Sequence, residues 1–418
     1  MPPRTALIAS MALACAAPAA AQQDDAAALE LADKAATEKE AAKQHRVYVE
    51  GAGLRGWLRG GPTTDVARAS LDLRYDTTFA PGWRAVLSDR LDLIHSDDAP
   101  RERNVNALRE AYVSWQARPD VILDLGRVNI RHGAAWGYNP TDFFRDGALR
   151  SIVSPDPARL RENRLGTVVV QGQKLWERSS LSAAYSPKLE DRPSDATTSL
   201  DLGSTNAHHR WLIAGSHRFG ERLNPQFLLH GGKGKTTQAG LNVSTLIGDA
   251  TVAFAELAAG KGPTLIAEAL GRIDTERWRR RAAFGLTYTT AFNLSLTAEA
   301  DFNSAAPDRA QWDALRTASL ADSLRYLQAA QDLQDLPVRR AAFLYATWRD
   351  ALLRRLDVSG FVRWDAVTHS RSQWLEARYH WDRVDLALQW QKYSGDADSV
   401  FGIVPQHRAV EVSVRVYF

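Results

Sequence analysis

The sequence predicts an all-β fold: a transmembrane, antiparallel, up-and-down β-barrel of about eighteen strands. Three observations carry this expectation. The chain ends on an amphipathic strand, its clearest segments alternate with a period of two over bilayer-crossing lengths, and tight connections alternate with long ones. At the C-terminus Val412, Val414, Val416 and Phe418 fall on one face and Glu411, Ser413 and Arg415 on the other, an apolar face for lipid and a polar face for a lumen. An amphipathic strand of a soluble sandwich would read alike, so the remainder of the chain decides.

Crossing a bilayer at a tilt takes about ten residues per strand. Between Ala67 and Asp76, Ala67, Ala69, Leu71, Leu73 and Tyr75 alternate with Arg68, Ser70, Asp72, Arg74 and Asp76. The same pattern recurs over 292–301, 356–365 and 384–391, with charges on the polar face that lipid would not accept. It extends to candidate strands near 46–58, 65–79, 82–95, 106–117, 120–130, 166–177, 179–187, 208–219, 222–231, 236–247, 249–259, 277–289, 291–302, 338–348, 352–367, 372–382, 383–393 and 406–418. Sixteen strands is the alternative, because the segments near 179–187 and 249–259 carry the weakest pattern. Tight turns such as Ala80-Pro81-Gly82, Gly248-Asp249 and Asp382-Arg383 follow even-numbered strands, and long connections are expected after odd-numbered ones. Trp57, Trp83, Trp115, Trp348, Trp364, Trp381 and Trp390 lie near strand ends, where interfacial girdles form.

Three stretches and a leader complete the organisation. Met1 to Ala21 reads as an export signal, with Arg4, an apolar run and Ala19-Ala20-Ala21 before Gln22; residues 46–418 form the barrel. The single cysteine, Cys15, falls inside that signal, which excludes disulfide and thiol chemistry from the mature chain. Residues 22–45, rich in Ala, Glu and Lys, are expected to form a short periplasmic helix. Pro307 to Leu336 is helical by pattern, with Trp312, Leu315, Leu320, Leu324 and Leu327 on one stripe, and is a surface loop that can fold into the lumen. The connection from Arg131 to Leu165 is long enough to be functional or lumen-inserted.

The 52 basic and 49 acidic residues nearly balance, and most of the basic ones are arginine. Arginine pairs bidentately with carboxylates, which suits facing rows of opposite charge inside a pore, although codon bias explains part of the excess. By strand parity the expected lining is Arg68, Asp72, Arg74, Arg279, Arg281, Glu299, Asp301, Arg355, Asp357, Arg363, Asp365, Glu376, Arg378, Asp385, Glu411 and Arg415. Rings of such charge select solutes by sign and size.

Other chemistry is poorly supported. Gly51-Ala52-Gly53-Leu54-Arg55-Gly56 matches a dinucleotide fingerprint by letters, but the strand continues through it instead of opening a helix. Gly232-Lys233-Gly234-Lys235-Thr236 is a basic hairpin and lacks the first glycine of a phosphate loop. The histidines show no metal-ligand spacing, so neither metal nor cofactor is expected, and no basic patch with interleaved aromatics points to nucleic acid. His369, Ser370 and Asp365 are the nearest approach to a hydrolase constellation, without a supporting motif, and no enzymatic activity is expected.

The most distinctive stretch runs Gly126-Arg127-Val128-Asn129-Ile130-Arg131-His132-Gly133 and then Trp136-Gly137-Tyr138-Asn139-Pro140-Thr141-Asp142. It resembles the Gly-Arg-Gln-x-Ile-x-Trp-Gly and Asn-Pro-x-Asp segment of a largely uncharacterised group of porin-like proteobacterial outer-membrane barrels. Gly126, Arg127, Ile130, Gly133, Asn139, Pro140 and Asp142 match; Val128 and His132 stand where glutamine and tryptophan are usual. The resemblance covers about 20 residues and implies a barrel without naming a substrate. Physically, Asn139-Pro140 sets a turn and Asp142 is expected to accept backbone N–H groups or to pair with Arg127 or Arg131. Arg127, Arg131, Trp136, Asn139, Pro140 and Asp142 are therefore expected on a loop folded against the inner wall, as a structural latch or a solute contact.

The expectation is a passive channel for small polar or anionic solutes in the outer membrane of a Gram-negative bacterium. Its surroundings would be outer-membrane lipid and lipopolysaccharide, the barrel assembly machinery would read the strand ending at Phe418, and a homo-oligomer stays open. The alternative is an export or scaffold barrel for a polysaccharide or a partner protein, which calls for a wide lumen.

Overall fold

A computed structural model describes residues 45–97, 103–220 and 222–418. The expected leader Met1–Ala21 and the helix of residues 22–45, apart from His45, lie outside the described residues. The strands are β1 (His45–Leu58), β2 (Thr63–Ala80), β3 (Trp83–Ser96), β4 (Arg103–Arg118), β5 (Val121–Val128), β6 (Thr167–Leu175), β7 (Ser179–Ser186), β8 (Arg210–His217) and β9 (Gln226–Gly232). They continue as β10 (Lys235–Ile247), β11 (Thr251–Gly262), β12 (Arg277–Thr289), β13 (Leu294–Asn303), β14 (Arg340–Trp348), β15 (Leu356–Asp365), β16 (Ser370–His380), β17 (Val384–Ser394) and β18 (Gln406–Tyr417).

Each strand pairs with its neighbours in sequence, and β1 closes the 18-stranded sheet on β18. The seam is in register over most of its length, with Val49 opposite Val416 and Gly53 opposite Val412. Closure leaves no sheet edge, so every strand finds its backbone partners within the wall.

Alternation sorts the side chains as the sequence indicates, and it inverts the pattern of a soluble protein. Leu71, Leu125, Val170, Phe227, Phe284, Leu344 and Leu388 are exposed on the outer wall, while Asp72, Arg90, Asp92, Arg109 and Glu256 are buried inside. Large apolar side chains facing outward all round a closed sheet need hydrocarbon around them. No described helix is long and apolar enough to cross a membrane. At the rim where the chain ends, Trp83 stacks on Trp115 at 5.3 Å, Phe292 meets Trp348 edge-on at 6.1 Å and Tyr379 meets Trp381 at 4.6 Å. Trp57 and Trp364 stand near the opposite rim, whereas Trp390 lies partway along β17.

The expected alternation of loop length holds only in part. Residues 59–62, Lys233-Gly234 and 366–369 join odd-numbered strands to the next and are short, whereas 218–225 and 349–355 follow even-numbered strands and are longer. Length is concentrated in 129–166, 187–209, 263–276, 304–339 and 395–405. The first and fourth of these enter the lumen. Where nothing has to be covered, a two-residue hairpin suffices, and Gly234 supplies the positive φ of 77° that such a turn demands.

Five short helices sit in these connections: α1 (Pro157–Glu162), α2 (Leu202–Thr205), α3 (Leu265–Leu270), α4 (Arg309–Ala318) and α5 (Leu320–Asp332). The helix expected over 307–336 is thus two. Ser319 adopts an extended conformation that ends α4, and its hydroxyl accepts the Asp322 N–H to start α5. That break rotates the stripe: Trp312 and Leu315 are buried, Leu320 is exposed, and Tyr326 and Ala330 take over the inner face. The inner face packs against α3, Ala305, Ala306, Val338 and Val400 beside the lumen.

Candidate channel lumen

Residues 129–166 leave β5 and turn into the barrel. Ala135, Tyr138, Thr141, Phe144, Arg145, Ala148 and Leu165 are all but inaccessible to solvent, as lumen insertion requires. Two carboxylates on the facing wall hold the tip. Glu299 of β13 accepts the N–H groups of Trp136 at 2.6 Å and Gly137 at 2.8 Å. Glu256 of β11 accepts the Ala135 N–H at 2.7 Å and the Thr141 hydroxyl at 3.1 Å. Charge-assisted bonds of this kind are roughly twice as strong as neutral ones, and both carboxylates lie in a buried setting. The approach is close enough to demand glycine twice: a Cβ at Gly133, whose φ is 90°, would lie 2.4 Å from Glu256, and one at Gly137 would lie 2.5 Å from the Phe343 ring.

The sequence-predicted partners of Asp142 are not the ones observed. Asp142 pairs with Arg164, so the return arm of the same segment clamps the Asn139-Pro140 turn. Arg127 instead donates to the carbonyls of Gly166 (2.9 Å), Leu108 (3.0 Å) and Leu200 (2.6 Å), where it ties β4, the base of the inserted segment and the 187–209 connection together. Its place on β5 points to the constriction, but carbonyls of β4, of Gly166 and of the 187–209 connection take its hydrogen bonds instead.

Beyond the turn, Phe143 and Phe144 enter an apolar cluster with Ile130, Val169, Ala184, Leu212, Ala214, Leu228 and Ala258. Phe143 lies flat on His230 at 5.0 Å, and the Arg210 guanidinium sits 4.6 Å over Phe144. This fills the side of the barrel walled by β6–β11.

The space that remains lies against β14–β18 and β1. A cavity of about 480 Å³ is bounded by the inserted segment, α5, the 395–405 connection and that wall. Trp136, Tyr345, Phe343, Phe361 and Trp374 form a row with successive ring centroids 5.6, 6.1, 5.4 and 5.7 Å apart, and all but Tyr345 reach the cavity. Arg145, Arg161, Arg164 and Arg363 supply positive charge to the lining. Arg363 donates to the Gly137 carbonyl at 2.5 Å, and Arg161 donates to the Ala135 carbonyl while lying 3.9 Å over the Trp136 ring. Of the lining carboxylates, Asp142 pairs with Arg164, Asp335 with Arg145 at 3.0 Å and Glu411 with Arg68 at 3.2 Å.

The segment also anchors on β14 and β17. Asp156 caps α1 through the Ala158 N–H and accepts the Tyr345 hydroxyl at 2.8 Å, and Ser154 donates to Gln389 at 3.1 Å. Burial, and then the neighbouring Glu376 charge, push the Asp156 carboxyl up to about 6.

Of the wall residues expected to line the lumen, Arg363 and Glu411 reach this cavity, as do Trp136, Asn139 and Asp142 of the loop set; Arg131 and Pro140 are not in its lining. Most of the others point inward but are engaged in a charge network on the wall. Arg68 meets Glu50 at 2.5 Å, Arg415 meets Glu50 at 2.7 Å, Asp72 meets Arg109 at 2.8 Å and Arg74 meets Glu110 at 2.7 Å. Glu376 holds Arg378 at 2.8 Å, while Asp357 and Asp385 share His380 at 3.2 and 2.8 Å. Arg279 faces Asp274 at 3.7 Å, Arg281 donates to Gln238 at 2.5 Å and Asp301 is buried beside Glu299 on β13.

Arg355 is a correction. With φ at 72° it belongs to the 349–355 turn, where it pairs with Asp382 at 3.0 Å, because β15 starts only at Leu356. Asp365 accepts the Val367 N–H at 2.7 Å and Ser370 lies 3.4 Å from it, but His369 is exposed at a turn of positive φ, with its ring against Trp364. The three residues do not converge into a catalytic arrangement.

The sequence reading missed Glu256, the wall rings Phe343, Tyr345, Phe361 and Trp374 of the aromatic row, Arg145, Arg161 and Arg164. Glu256, Phe343, Tyr345 and Trp374 carried a signal, since each stands at an inward parity position of its strand. The three arginines lie in the inserted segment, Arg161 on the short α1 and the other two in irregular chain, where strand parity does not apply.

No family model matches the chain, and neither does any curated protein. Solved structures match in fold. OccAB1 of Acinetobacter baumannii superposes with a TM-score of 0.55 at 11% identity, over 90% of this chain and 96% of that one. OccK7 (OpdD) of Pseudomonas aeruginosa gives 0.53 at 12% identity, over 90% and 99%. The outer membrane protein opdK of Pseudomonas aeruginosa gives 0.50 at 9% identity, over 90% and 98%. At such identities the likeness is one of fold: a closed 18-stranded membrane barrel.

Proposed function

We propose that this barrel is an outer-membrane channel through which small anionic or polar solutes diffuse, and that the solutes it favours present an apolar face beside their charge. The observation that carries the reading is the cavity of about 480 Å³ that the inserted segment leaves, with four arginines and a row of aromatic rings in its lining. Arg161 and Arg363 donate hydrogen bonds to carbonyls of the inserted segment, which holds two positive charges where segment and wall meet. Guanidinium groups there attract anions, and the rings accept a solute's apolar face as it leaves water. The export or scaffold alternative calls for a wide lumen, whereas Phe143 and Phe144 fill one side of this one.

Planar-bilayer recording with the purified protein tests the reading. Steady conductance steps with a reversal potential on the anion side are expected. A silent protein, or cation selectivity, overturns it.

A further inference from the structure

The outer wall carries a feature that lumen transport does not use. On the side of the long connections, Lys261, Arg280, Arg340, Arg371, Lys392 and Arg408 occupy outward-facing positions within the last few residues at that end of β11, β12, β14, β16, β17 and β18, and all six are exposed. They form a run around the wall. Lys261 is opposite Trp278, Trp364 is opposite Arg371, Lys392 is opposite Arg408, and Arg408 in turn is opposite Trp57 across the seam. Arg408 lies 4.1 Å over the Trp57 ring.

Three observations separate this belt from ordinary surface charge. The arginines inside the barrel are largely paired with carboxylates, whereas among the described residues none of these six forms an ion pair. Outward strand positions of β11–β18 hold no acidic residue. At the opposite rim the outward positions of the same strands end in Tyr288, Trp348, Tyr379 and Val416, with no lysine or arginine. Outward positions of these strands thus carry cations at one rim alone, where stems can lie along the apolar wall while the charges reach the headgroups of an anionic leaflet.

We infer that the rim formed by β11–β18 and β1 is a binding surface for the phosphate groups of lipid A in the outer leaflet. The long connections and the export-side rules of barrel topology put this rim in that leaflet. Spaced guanidinium and ammonium groups interleaved with tryptophan suit a phosphorylated glycolipid, whose phosphates take charge-assisted hydrogen bonds while its sugar ring rests on an indole. The inference rests on the membrane placement of the barrel and not on what crosses the lumen.

The full chain, folded in detergent and checked by its heat-modifiable gel migration, is titrated with bis-phosphorylated lipid A and read by native mass spectrometry. Wild type is expected to bind it, and the variant carrying Lys261→Gln, Arg280→Gln, Arg340→Gln, Arg371→Gln, Lys392→Gln and Arg408→Gln to bind about tenfold more weakly. Replacing the four arginines with lysine should preserve binding. Equal binding by wild type and the neutral variant overturns the inference, as does equal binding of dephosphorylated lipid A. Displacement by inorganic phosphate at the same concentration overturns the assignment to lipid. If the six-site variant does not fold, Arg371→Gln, Lys392→Gln and Arg408→Gln together decide by the same criteria.

Discussion

Glu299 grips Trp136 through the backbone, at 2.6 Å from carboxylate to amide, and so fixes how far the inserted segment stands from the wall. The bond runs from β13 to a segment that departs β5, and Gly137 shares the same carboxylate at 2.8 Å. Glu299→Ala removes the acceptor of both N–H groups, at a cost of about 1–3 kcal/mol each where no water takes its place. The segment should loosen while the barrel persists. Single-channel recordings would then show larger and noisier current levels; unchanged traces would mean the other anchors suffice.

Gly137→Ala places a methyl 2.5 Å from the Phe343 ring. The Phe343 side chain or the segment must shift to admit it, and overpacking of this sort costs about 1–3 kcal/mol. The variant should fold as a barrel but show a changed cavity, read as a shift in unit conductance with unaltered heat-modifiable migration.

Charge at the constriction is tested by Arg363→Gln. It removes one positive charge from the lining together with the guanidinium bond to the Gly137 carbonyl. The reversal potential in a salt gradient should move toward that of an unselective pore, and Arg161→Gln should add to the effect. A reversal potential equal to wild type in the double variant would remove these residues from the selectivity mechanism.

Asp156 sets a pH response. Its carboxyl, raised to about 6 in the folded protein against an ordinary 3.8, holds a proton there that the unfolded chain releases. The folded state therefore binds more protons between about pH 4 and pH 6, and the stability this group contributes is greatest below that window and declines as pH rises through it. Hydrogen exchange over 153–163, corrected for intrinsic rates, should show more protection at about pH 5 than at about pH 7.5. Asp156→Asn should flatten the difference.

Phe144→Ala empties part of the cluster that fills the β6–β11 side, and a buried phenylalanine lost in this way costs about 3–5 kcal/mol. Conductance should rise because the plug collapses only partly. A current indistinguishable from wild type would indicate that this side contributes nothing to confinement.

Strand positions were legible in the sequence because lipid and lumen impose a two-residue period on every crossing; even the weakly patterned β7 and β11 pair on both sides. Connections were less legible. Nothing in local pattern distinguishes a segment that turns inward from one that leaves the barrel, so the sequence offers Asp142 backbone N–H groups, Arg127 or Arg131, whereas the return arm brings Arg164 to it. The placement of Arg355 failed for a related reason: continuing the alternation back through 352–355 ignores the left-handed residues Asp350 and Arg355 that hold the turn open. Parity marks which way a side chain points, and a cavity also depends on what folds over it.

The packing of Phe143 and Phe144 against β6–β11 uncouples bore from circumference. An eighteen-stranded cylinder here encloses what amounts to a soluble protein's interior on one flank and an open cavity on the other. Substitutions within 129–166 could therefore resize the opening while the membrane-facing shell, its closure and its assembly stay as they are. Permeability in such an architecture can diversify one loop at a time.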